Sequence, residues 1–142
     1  MQYVKNEIFY FERGAYFSGS LEYKIELIEG KYILKGRAYN DFCWMDAVKF
    51  EIPAEEIMSL EKLLKPVAKW EQEYETQDDI LDGYGWDIYF KYGSTLIETS
   101  GYEKYPRNYD RIVSALQRFI ERLGIKYNEK YQREGRKERI KL

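Results

Sequence analysis

Apolar and charged residues alternate along Leu21–Leu27, where Leu21, Tyr23, Ile25 and Leu27 are separated by Glu22, Lys24 and Glu26. A period of two sends successive side chains to opposite faces. The segment therefore predicts an antiparallel strand with one face on a core and one in water. Glu29-Gly30 supplies a turn, and Tyr32, Leu34, Gly36 and Ala38 carry the inward face onto the next strand. Ile8–Glu12 reads as a first strand, closed by a loop with Gly14 and Gly19. Val48, Phe50 and Ile52 alternate with Lys49 and Glu51 on a fourth. Connections this short predict four strands in meander order.

The period then changes. Pro53 opens a helix with Glu55 and Glu56 in its first turn, where the positive dipole end favours carboxylates. Ile57, Leu60, Leu63 and Leu64 form its apolar stripe, and Pro66 ends or kinks it by removing a backbone donor. Val67–Asp79 has no clean period and reads as a long acidic connection. Trp86, Ile88, Phe90 and Tyr92 next alternate with Asp87, Tyr89 and Lys91. Gly93-Ser94 turns the chain, and Leu96–Ser100 returns with Thr95, Ile97 and Thr99 facing opposite to Leu96 and Glu98. Tyr109, Ile112, Val113, Leu116, Phe119, Ile120 and Leu123 make one helical stripe, with Asn108 as the expected N-cap and Gly124 as the C-terminal stop.

These elements predict an α+β domain over residues 1–124. Its core is a single, strongly bent antiparallel sheet of about six strands in the order ββββ-α-ββ-α, with two helices packed on one face. Residues 125–142 form a charged, net basic extension. It carries seven basic and three acidic residues, a net +4 against −2 for the whole chain.

Composition narrows the chemistry. The 142 residues are 44% hydrophobic and 34% charged, a globular balance. There is no histidine and one cysteine, Cys43, so histidine-dependent nucleophilic catalysis, thiolate zinc clusters and an intramolecular disulfide are excluded within one chain. Neither a catalytic residue set, a metal site nor a cofactor is expected. The N-terminus lacks an apolar leader core and no apolar run approaches ~18 residues, so a cytoplasmic protein without a membrane partner is the expectation. Aromatic residues reach 18%, 15 of them tyrosine, which suits half-buried strands and contact surfaces alike.

One stretch carries a family-like signature. Trp70 is followed by Asp82-Gly83-Tyr84-Gly85-Trp86 and then by Ser100-Gly101-Tyr102-Glu103-Lys104-Tyr105-Pro106-Arg107-Asn108-Tyr109. Over about residues 60–123 this resembles an uncharacterised family of small bacterial proteins with an Asp-Gly-x-x-Trp, then Ser-Gly-Tyr-x-x-Tyr-Pro-x-Asn-Tyr pattern. The usual Asp-Gly between the two strands is replaced here by Gly93-Ser94. The resemblance implies a hairpin leading into a C-terminal helix and carries no activity with it.

Two places invite a ligand or partner. Phe42, Cys43, Trp44 and Met45 are four non-polar residues where a polar strand connection is expected; Phe42, Trp44 and Met45 form either a partner-binding patch or a loop folded inward. At the strand-to-helix junction, Lys104 and Arg107 add charge near a helix N-terminus, and Tyr102 and Tyr105 are placed to stack on a ring. The alternative there is purely structural: turn, cap and tyrosine packing. Asp78–Gly83 fails the calcium-loop pattern, because the third and twelfth positions are Ile80 and Tyr89. The leading expectation is a non-catalytic module that contacts a protein or peptide, or a second copy of itself, through aromatic surface. The second is nucleotide or nucleic-acid binding at Ser100–Arg107, assisted by the basic tail.

Overall fold

The middle of the sheet is the N-terminal strand β1 (Glu7–Ala15), which pairs antiparallel with β2 (Gly19–Ile28) on one side and β6 (Gly85–Tyr92) on the other. From β2 the meander continues through β3 (Lys31–Asn40) to β4 (Cys43–Ile52). Beyond β6 lie β7 (Thr95–Tyr102) and β5 (Glu73–Glu75), giving the order β4-β3-β2-β1-β6-β7-β5. The computed structural model describes residues 6–15, 19–40, 43–75 and 83–128, and the side chains of residues 39–40 and 43–47 lie outside that description.

Register turns the sequence alternation into a core. Phe50, Leu34, Ile25, Phe9, Phe90 and Ile97 stand opposite one another in one row across six strands. All six are buried. Two helices, α1 (Ala54–Leu64) and α2 (Tyr109–Tyr127), cover this face, and their buried residues join the same core. In α2 these are the seven stripe positions from Tyr109 to Leu123. Each large aliphatic side chain buried this way contributes roughly 1.5–3 kcal/mol. The helices cross over: α1 follows β4 yet also contacts β6, and α2 follows β7 yet contacts β4.

Several expectations need correction. A seventh strand, β5, lies in the segment read as a connection, and it pairs parallel to β7 through Glu73, Tyr74 and Glu75. Three residues with one aromatic give no usable period; the open edge of β7 creates the strand. Strand β4 begins at Cys43, so Cys43–Met45 continue the ladder with β3 and are not a loop. Gly124 does not stop α2. The helix runs to Tyr127, which packs on the core, and a helical glycine costs only about 1 kcal/mol. Pro66 acts as expected: α1 ends at Leu64 and a 3-10 turn, Lys65–Lys69, follows.

Candidate functional site

Trp70, Tyr84, Trp86 and Tyr109 of the signature converge on the helix side of the sheet, and the residues around them have packing reasons of their own. Trp86 points inward from β6, and its indole nitrogen donates to the Lys104 carbonyl at 3.0 Å. Gly101 stands opposite it on β7, where a Cβ would lie 2.3 Å from that nitrogen. The Gly83 amide donates to the Tyr102 hydroxyl at 2.7 Å, and a side chain at 83 would strike the same ring. Glu103 has a left-handed backbone (φ 54°). It is latched to Tyr84 twice, amide to carbonyl at 2.8 Å and carboxylate to amide. Trp70 packs edge-on against Trp86 at 5.8 Å and near Tyr109 at 6.3 Å. Such aromatic pairs contribute about 0.5–1.5 kcal/mol beyond area burial. Burial, then the hydrogen bond shared with Tyr84, raises the Tyr109 hydroxyl well above its ordinary value.

Asn108 occupies the N-cap position of α2, but its side chain does not cap the helix. Its Oδ1 accepts the Trp70 indole N–H at 2.9 Å instead. A carbonyl oxygen aimed at a half-buried indole satisfies a donor that water reaches poorly, whereas first-turn amides at a helix end are easily hydrated. Asn108 therefore ties the segment after α1 to the start of α2.

That tie builds a cleft. Lys65 and Lys69 line one side from the 3-10 turn, Arg107 and Arg111 the other, with Trp70 between them, around a volume of about 870 Å³. The four cations come in two pairs, each spaced by four residues, and all are exposed. Among the described residues no carboxylate lines the cleft and none of the four cations is in an ion pair. The N-terminal turn of α2 borders it and adds the positive end of a dipole.

The opposite face of the sheet is also charged. The face assigned to water carries Glu22 and Glu26, which are only 5% and 8% exposed. Arg37 holds Glu22 through two bonds, at 2.9 and 3.2 Å. Glu22, Glu12 and Asp87 stand in one row across β2, β1 and β6. The Tyr10 hydroxyl reaches both Glu12 and Glu22, the latter at 3.1 Å. Burial, with the added charge of Glu12, pushes the Asp87 carboxyl above the usual aspartate range.

The residues singled out from the sequence do not meet in one site. Phe42 lies outside the described residues, as do the side chains of Trp44 and Met45. Asp78–Asp82 is likewise outside them. Tyr102 is engaged through its hydroxyl, and Tyr105, 40% exposed, packs 4.9 Å from Tyr109 and 5.8 Å from Tyr84. Lys104 contributes its carbonyl to Trp86, with its side chain exposed. Arg107 alone among them lines the basic cleft. Its companions Lys65, Lys69 and Arg111 were missed; the available signal was the matched four-residue spacing of two cation pairs beside Pro66 and Pro106. Among the described residues no three side chains are grouped to hold a metal ion, and no helix is long and apolar enough to cross a membrane. No protein-family model, curated protein or solved structure matches this chain.

Proposed function

We propose that this protein binds single-stranded nucleic acid, a non-catalytic role, through the cleft between the Lys65–Lys69 turn and the first turn of α2. What carries the reading is the convergence of four cations from two elements on a cleft with no described carboxylate in its lining. Two facing pairs of cations suit a polyanion running between them, and arginine forks match phosphate oxygens in pairs. Trp70, which lines the cleft, offers a ring surface for a base without any hydrogen-bond readout, so little sequence preference is expected. Tyr102 and Tyr105 support the cleft by fixing the junction from which Arg107 projects. Helix α2 carries the chain away from the cleft for 19 residues, roughly 28 Å, to Tyr127.

Anisotropy of a labelled oligonucleotide across a salt series tests this. Three to four neutralised phosphates give a slope of log K against log salt of roughly −2 to −3 for a single strand. Lys69→Ala and Arg111→Ala should each flatten it by about 0.7. Binding that ignores salt, or that survives loss of all four cations, defeats the proposal.

A further inference from the structure

On the face turned away from the helices, Lys24, Lys35 and Lys49 stand directly opposite one another on β2, β3 and β4. Adjacent strands are about 4.8 Å apart, so three ammonium groups on flexible stems start within roughly 10 Å. Like charges placed opposite each other destabilise a sheet. Here the arrangement is only partly compensated. Glu26 pairs with Lys35 at 2.8 Å and more distantly with Lys24 at 3.8 Å. Burial pushes the Glu26 carboxyl up, but the two ammonium groups outweigh it and hold the group below the usual range, so it stays ionised. One carboxylate thus serves two of the three lysines. Among the described residues Lys49 is in no ion pair. The Lys24 and Lys35 side chains are 29% and 32% exposed, so both are already held against the sheet.

These lysines line a groove of about 470 Å³ together with Arg37, whose charge is matched by the buried Glu22. The net charge offered by the lysine row and Glu26 is +2. A phosphomonoester carries about −1.5 to −2 at neutral pH and three strong acceptor oxygens. We propose that this row is a second anion site, separate from the basic cleft, that takes a phosphomonoester dianion with the three ammonium groups on its phosphoryl oxygens.

Thermal melting of the full chain at constant ionic strength tests it, with inorganic phosphate, adenosine 5′-monophosphate and adenosine as probes. Phosphate and the nucleotide are expected to raise the melting temperature saturably, and adenosine is not. Lys49→Ala, at an exposed position that leaves the Glu26 pairs intact, should weaken the apparent affinity about tenfold, and Lys49→Glu should abolish the rise. Lys69→Ala and Arg111→Ala should leave it unchanged. Absence of a saturable rise with phosphate overturns the proposal. So does a rise that survives Lys49→Glu, or one lost with Lys69→Ala and Arg111→Ala, which would move phosphate to the other cleft.

Discussion

The aromatic junction and the charged face occupy the same strands, one residue out of step. On β6, Trp86 enters the junction while its neighbour Asp87 joins the acidic row. In the junction both indole nitrogens and the Gly83 amide are matched: indole to carbonyl, indole to amide oxygen, amide to hydroxyl. On the other face compensation is uneven, with Glu22 paired to Arg37, Asp87 beside a second carboxylate, and two of three aligned lysines sharing one glutamate. A satisfied network specifies one structure, whereas imbalance leaves a field for something else to answer. The most conspicuous motif in the chain therefore serves the fold, and the candidate ligand sites lie in residues without a motif.

Mutations can break this contrast, the largest effects falling in the junction. Gly101→Ala places a Cβ 2.3 Å from the Trp86 nitrogen on a strand that is paired on both sides, so neither partner can retreat easily. A loss of about 3 kcal/mol in denaturant unfolding is expected. Asn108→Ala removes the Trp70 acceptor and should cost about 1–2 kcal/mol, while Asn108→Asp keeps an acceptor and should stay within about 0.5 kcal/mol. Equal losses in both variants would show that an acceptor oxygen at 108, whether for the indole or for a cap, is not what the position supplies.

The charged face should answer to pH, with opposite signs at two carboxylates. Glu26 is depressed in the folded state, so its contribution is present above the unfolded glutamate pKa and fades as pH falls through the lower folded value. Glu26→Gln should lower stability at pH 7 by about 1 kcal/mol, a deficit that closes in acid. Asp87 is raised, so its favourable contribution exists below the unfolded aspartate pKa and is lost as pH rises through the folded one. Asp87→Asn should therefore raise the melting temperature at pH 7, with the gain vanishing on acidification. A destabilised Asp87→Asn at neutral pH would mean that Asp87 has a partner worth more than its burial costs. The smallest stability effect belongs to the cleft: Arg111→Ala should stay within about 0.5 kcal/mol while its binding phenotype is clear in the salt series.

Much of the fold was legible because burial on one face imposes a period. The alternation at Trp86–Tyr92 and the stripe from Tyr109 to Leu123 required their elements and their inward residues. Strand β5 was not legible, since Tyr74 alone carries no pattern and the strand exists through its hydrogen bonds to β7. Of the candidate site, Arg107 was legible from its place beside the helix start. Lys65 and Lys69 lie some forty residues away in sequence and meet it because both helices pack on one core and Trp70 reaches Asn108 and Tyr109.

The sequence by itself determined most of the inward positions and where both helices start, because these depend on local periodicity. Leu27, read as inward, is nevertheless 39% exposed, and Glu22 and Glu26, read as facing water, are buried. The tertiary structure alone decided which charges meet. Strand register put Glu22, Glu12 and Asp87 in one row and Lys24, Lys35 and Lys49 in another, and helix packing with the Trp70–Asn108 bond brought the two sides of the basic cleft together. Charge acts between side chains brought together across strands, at separations in the chain that no local pattern encodes.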